Sequence, residues 1–170
     1  MTKHNLLLLT ILIFLYQQNN PTTDVRHKKP KGSVSFATVL VINDNSEVLL
    51  LLRSKGTSFG NGLYSLPGGK IEPGETACQA AQREVQEEVG ITVDQLTLVH
   101  VVDRQGPETE FYVFVFKADA WQGVPVNCEP DKCDELAWFP LNQLPPNIIP
   151  AHRQAITLSQ QAILYSEHGW

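Results

Sequence analysis

The chain has 170 residues, 42% hydrophobic and 18% charged, enough for one α/β domain and too few for two ordinary ones. Its formal charge of -5 hides an asymmetry: residues 1–31 carry five Lys/Arg against one Asp, and residues 32–170 carry eight against seventeen Asp/Glu. An acidic body lacks the clustered Lys and Arg that contact a duplex, so no duplex nucleic acid partner is expected, although phosphates can still be held through metal ions.

Taken in chain order, Lys3 and His4 precede an apolar run at residues 6–16, and a polar stretch at 17–20 follows. The pattern is signal-like, but a run of eleven residues is too short for an ordinary transmembrane helix and no small-residue cleavage site follows. A cytoplasmic protein is expected; export or membrane anchoring through residues 6–16 is the alternative. Residues 1–31 are therefore set apart as an apolar segment with a basic linker, and residues 32–170 as the folded domain.

Residues 34–42 are rich in β-branched side chains, Asn43-Asp44-Asn45 is turn chemistry, and residues 47–52 form a second apolar run, together a hairpin. A polar loop at 54–62 leads to a short segment at 63–66 and the turn Pro67-Gly68-Gly69. Thr76 is placed to cap a helix over 77–89, and Gly90 to stop it. Strands are expected at 96–102, 111–117 and 136–139, and a closing helix over 151–167 with helical spacing at Ala155, Leu158, Ala162 and Tyr165. The three cysteines, Cys78, Cys128 and Cys133, fit neither a disulfide framework nor a zinc site, which would need a second ligand pair.

On the helix at 77–89, Ala77, Cys78, Ala81, Val85 and Val89 share one arc, and Glu84, Glu87 and Glu88 occupy the adjoining one. Glutamates at i, i+3 and i+4 repel one another. Either the face is solvated beside Arg83, or its carboxylates hold a hard divalent cation.

From Gly69 the sequence runs five residues to Glu75 and seven more to Arg83-Glu84-Val85-Gln86-Glu87-Glu88-Val89-Gly90-Ile91. This stretch resembles the Nudix box, G-x5-E-x7-R-E-U-x-E-E-x-G-U with U a bulky aliphatic residue, at all nine constrained positions. Gly68-Gly69-Lys70-Ile71-Glu72 followed by Gly74-Glu75-Thr76 looks like the MutT branch of that superfamily, whose members clear damaged or surplus nucleoside triphosphates. The resemblance implies an α/β/α sandwich with a mixed β-sheet and the box as a loop-helix-loop. It implies Mg²⁺, with Mn²⁺ as a substitute, bound by Glu84, Glu87 and Glu88 with the Gly68 carbonyl as an additional ligand. Glu75 and Arg83 would hold loop and helix in register.

The implied activity is hydrolysis of a nucleoside triphosphate, such as an oxidised purine nucleotide of the 8-oxo-dGTP kind, to monophosphate and pyrophosphate. ADP-ribose, a dinucleoside polyphosphate or capped RNA are alternative substrates, and a non-catalytic Nudix-fold binding module is the alternative class. Pro107, sixteen residues after Ile91, is spaced as in ADP-ribose-cleaving relatives, though a Gly-Pro turn explains it equally.

Candidates for the general base are Glu84 and, on later loops, Glu108, Glu110, Glu129 and Asp131. Arg53 and Lys70 are candidates for phosphate contacts, and Asn147, after Pro145-Pro146, and Asp134 for base contacts. Of the adjacent Trp138 and Phe139, at least one should face the core. The sequence does not determine an oligomeric state.

Overall fold

Two sheets carry the chain. A computed structural model describes residues 33–56, 59–106 and 109–169; the N-terminal segment expected at 1–31, together with Pro107 and Glu108, lies outside the described residues. The strands are β1 (Val34–Leu40), β2 (Glu47–Arg53), β3 (Tyr64–Ser65), β4 (Gly68–Lys70), β5 (Thr92–Gln105), β6 (Glu110–Gln122), β7 (Cys133–Pro140) and β8 (Tyr165–His168). The helices are α1 (Ala77–Val89) and α2 (Pro150–Gln160). One sheet runs β4-β1-β6-β5-β8 and the other β3-β2-β7. The first is mixed, since β1 pairs parallel with β6, and β5 with β8, while the other pairings are antiparallel.

Alternation along β1 explains the layering. Ala37, Val39 and Val41 point to one face and pack with Ala80, Ala81, Val85 and Val89 of α1. Leu40 points to the other and packs with Val102, Val115 and the α2 residues Ala155 and Ile156. The five-stranded sheet therefore lies between two helices, the α/β/α order the resemblance implies. Trp138 and Phe139 divide in the same way: Trp138 stacks on Trp121 at 6.4 Å, and Phe139 meets Tyr64 edge-on at 4.8 Å.

The capping of α1 follows the sequence. Gln79 N–H donates to Thr76 Oγ1 at 3.2 Å, the Gln79 side chain takes the Thr76 N–H at 2.9 Å, and Gly90 N–H closes the helix on Gln86 O.

Three expectations are corrected. Residues 34–42 and 47–52 do not pair as a hairpin: both edges of β1 are taken by β4 and β6, β2 joins the other sheet, and the two segments meet only at an isolated bridge between Ile42 and Val48. The turn at Gly68 and Gly69 is also a strand, β4, paired with Phe36, Ala37 and Thr38. The closing helix ends at Gln160, not near 167, because the chain reverses through Ala162 at φ 56° and residues from Tyr165 add to the open edge of β5. That edge offers backbone partners that no helical periodicity reveals. It is pinned by His100, fully buried on β5, whose Nδ1 donates to Ile163 O at 2.7 Å while Nε2 meets Ser166 Oγ at 2.8 Å. Among the described residues no helix is long and apolar enough to cross a membrane.

Candidate active site

The loop from β4 to α1 brings backbone and acids together because two positions have no side chain. Gly68 has φ +143°, and a Cβ there would meet the backbone of Ala37 and Thr38. A Cβ at Gly69 would overlap the Glu84 carboxylate. With that space open, the acids of α1 lie against β4, and Gly68 N–H donates to Glu88 Oε2 at 2.7 Å.

Arg83 organises the box. Its Nη2 and Nε donate to the two oxygens of Glu75 at 2.7 and 3.2 Å, a bidentate pair, and Nη2 also reaches Lys70 O at 3.1 Å. Nη1 donates to Glu84 at 2.8 Å and to Glu87 at 3.1 Å. Glu75 in turn accepts the Glu72 N–H at 2.6 Å, so one guanidinium ties loop, strand and helix together. The Arg83 hydrogen bonds hold the Glu75 carboxyl below its usual range.

Electrostatics distinguish the glutamates. Burial pushes Glu88 up to about 7, the Gly68 N–H opposes the rise, and the charges of Glu84 and Glu129 add to it. Burial also raises Glu84, against the pull of Arg83. Glu87 is more than half exposed. Glu129, on the loop before β7, holds Lys132 Nζ at 2.8 Å, and the Lys132 ammonium feels Glu88 and Glu84 as well.

These groups border a cavity of about 730 Å³ between the sheets, within the range of small-molecule pockets. Gly68, Gly69, Arg83, Glu84, Glu87, Glu88, Glu129 and Lys132 lie along its acidic part. Phe36 and Thr38 of β1, Arg53 of β2, Phe59, Arg104 of β5, Phe111 of β6 and His152 of α2 line it as well. Arg53 connects the two groups, since its charge is felt by both Glu88 and His152, and its Nε donates to Phe59 O at 2.8 Å.

Whether the acids suit a divalent cation can be tested on their surroundings. Among the described residues no three Asp, Glu, His or Cys side chains already converge at ligating distance. The donor set is nonetheless all oxygen, the carboxylates raise one another's affinity for positive charge, and the deepest of them is costly to ionise without a cation. Glu84, Glu87 and Glu88 with the Gly68 backbone fit such an ion.

The other expected residues divide. Arg53 lines the cavity. Lys70 is exposed, with its carbonyl taken by Arg83. Asn147 donates to Gly62 O at 3.0 Å, and Asp134 accepts from Ser54 Oγ at 2.5 Å; neither these two nor Lys70 is among the cavity-lining residues. Of the later-loop acids, Glu129 borders the cavity, Glu110 and Asp131 do not, and Glu108 lies outside the described residues. Sequence reasoning passed over Thr38, Arg104, Lys132 and His152. Strand alternation could have placed Thr38 on one face with Phe36, but not beside a ligand cavity.

Comparison with known proteins identifies a family and a fold. The family model described as NUDIX domain matches residues 33–158. The 8-oxo-dGTP diphosphatase of Escherichia coli (strain K12) is 35% identical over 92 residues, 54% of this chain and 70% of that protein. The 8-oxo-dGDP phosphatase of Homo sapiens is 36% identical over 127 residues, 74% of this chain but only 37% of the human protein. The crystal structure of a MutT NUDIX hydrolase from Burkholderia pseudomallei superposes with a TM-score of 0.68 at 31% identity, covering 75% of this chain and 98% of that one.

Proposed function

The chain belongs to the Nudix family, and on that premise we propose that it is a divalent-metal-dependent pyrophosphohydrolase that cleaves a nucleoside triphosphate to the monophosphate and pyrophosphate. Oxidised purine nucleotides, the substrates named for the Escherichia coli and human relatives, are its preferred class. The observation that carries this reading is the placing of Glu84 and Glu88 of α1 and the Gly68 backbone along one wall of a cavity that Arg53 and Lys132 also enter.

Mg²⁺, with Mn²⁺ as a substitute, is the proposed cation, held by Glu84, Glu87 and Glu88 with the Gly68 carbonyl. When bound, such an ion neutralises phosphate oxygens and lowers the pKa of water. The chain's own groups do the rest. Arg53 and Lys132 supply fixed positive charge toward the phosphate chain. Arg83, occupied by Glu75 and the Lys70 carbonyl, keeps the helix acids in place. Glu84 or Glu129, both at the cavity wall, accepts the proton of the attacking water. Residues 32–170 are the unit proposed to carry this activity.

The test is product analysis by chromatography. Purified protein with Mg²⁺ or Mn²⁺ is given nucleoside triphosphates with and without base oxidation, the corresponding diphosphates, ADP-ribose, dinucleoside polyphosphates and capped RNA. Monophosphate and pyrophosphate from an oxidised triphosphate, abolished by chelator and by Glu87→Gln, are expected. Full activity in Glu87→Gln at saturating Mg²⁺ would end the metal assignment. Turnover of only the non-triphosphate substrates would move the reading to another Nudix class.

A further inference from the structure

The acids of the cavity come from the box and from the loop before β7; the remaining lining is of a different character. Phe36 and Phe111 pack with centroids 6.0 Å apart, and the Arg104 guanidinium lies 5.2 Å from the Phe59 ring centroid. These are flat surfaces suited to a ring. Thr38, 4% exposed, carries a buried Oγ1 with no hydrogen-bond partner. A buried hydroxyl without a partner costs free energy unless something else engages it.

His152 has the most constrained chemistry in this lining. Leu66 N–H donates to its Nδ1 at 2.9 Å. Nδ1 is therefore the acceptor, and the neutral ring carries its proton on Nε2. Nε2 has no protein partner among the described residues. Burial, with Arg53 and Arg104 nearby, depresses the imidazole pKa to about 4, so the ring stays neutral. The charges His152 feels are those two arginines, and no carboxylate.

We propose that His152 is a specificity-determining residue: its Nε2–H, with Arg104 beside it, reads hydrogen-bond acceptors on the ring of the substrate and favours an oxo-purine over an amino-purine. This rests on the nucleotide reading given above. The 6-oxo purines present O6 and N7 as two adjacent acceptors, which a set of donors satisfies. Adenine presents its N6 amino group there and sets donor against donor. The Arg104 fork supplies only donors, and the neutral imidazole with Nδ1 occupied can only donate. A site built this way discriminates because the mismatched ligand leaves the cavity's donors unpaired.

The experiment compares inosine and adenosine triphosphates, which differ at the 6-position edge, on wild type, His152→Asn and His152→Gln. The Asn amide oxygen can replace Nδ1 as acceptor for Leu66 N–H while the Nε2 donor is lost; Gln restores an amide donor near the Nε2 position. The inosine-to-adenosine ratio of kcat/KM should exceed one in wild type, contract about tenfold in His152→Asn and recover in part in His152→Gln. An unchanged ratio in a folded His152→Asn protein overturns the proposal.

The wild-type imidazole ¹⁵N spectrum, titrated with inosine or adenosine monophosphate, decides independently of turnover and of whether the variants fold. A protonated Nε2 whose signal moves with the inosine nucleotide and not with the adenosine nucleotide supports the proposal. A protonated Nδ1, or an equal or absent response to the two, overturns it. Should wild type cleave neither triphosphate, the ring-nitrogen response still settles the role of His152, while the pyrophosphohydrolase reading is decided separately by the oxidised triphosphates.

Discussion

Glu88 and Gly68, twenty residues apart, meet at 2.7 Å where the carboxylate accepts the backbone N–H. The same hydrogen bond anchors α1 to β4 and holds a half-buried acid whose pKa is pushed up to about 7 by burial. Glu88→Gln keeps an acceptor for that N–H but removes the charge. Activity is expected to fall by at least about a hundredfold while the thermal midpoint stays level or rises. Steady-state kinetics beside thermal denaturation check this; retained activity would remove Glu88 from the metal site.

Gly69→Ala places a methyl group on the Glu84 carboxylate, and Gly68→Ala one against the backbone of β1 at a φ of +143°. The two should separate. Gly69→Ala displaces a side chain and loses activity with modest destabilisation, whereas Gly68→Ala forces backbone movement and costs about 1–3 kcal/mol. Denaturant titration of both variants, beside their turnover, distinguishes them.

Arg83→Lys removes the fork that spans Glu75, Glu84, Glu87 and the Lys70 carbonyl, since an ammonium cannot reproduce the bidentate geometry. A roughly ten- to hundredfold loss in activity or in apparent cation affinity is expected. The dependence of rate on Mg²⁺ concentration measures it, and an unchanged curve contradicts the organising role.

Stability should fall with acid in a window set by His152. Its folded pKa, about 4, lies below the unfolded 6.5, so the unfolded chain binds the proton more readily between these values. The contribution is fully present above pH 6.5 and is lost as pH falls toward 4, about 3 kcal/mol in all. Urea titrations of wild type and His152→Asn across pH 4–7 should diverge by this component; parallel profiles would refute it.

His100→Ala opens a cavity and leaves Ile163 O and Ser166 Oγ without their partner at the β5–β8 edge. A loss of about 2–4 kcal/mol is expected, against about 1 kcal/mol for Ser166→Ala, with catalysis in the surviving folded fraction little changed. Equilibrium unfolding of both variants checks the order.

The box was legible in the sequence because its constraints are local. Glycine at 68 and 69, the cap at Thr76, the carboxylates on one helical arc and Arg83 between them all depend on backbone freedom and on spacing along one helix, and these follow from residue order alone. The helix over 77–89 and the extended character of residues 34–42 and 47–52 were legible for the same reason, but not that these two strands enter different sheets and meet only at the Ile42–Val48 bridge. What lies across from the box was not. Thr38, Arg104 and His152 reach the cavity from β1, β5 and α2, and only the pairing of β1 with β6 and the packing of α2 over that sheet bring them there. The strand identity of residues 165–168 likewise came from an open sheet edge, which no local pattern encodes. Intrinsic spacing determined where charge gathers along α1; long-range packing decided which donors face it across the cavity, and so which ring the site can read.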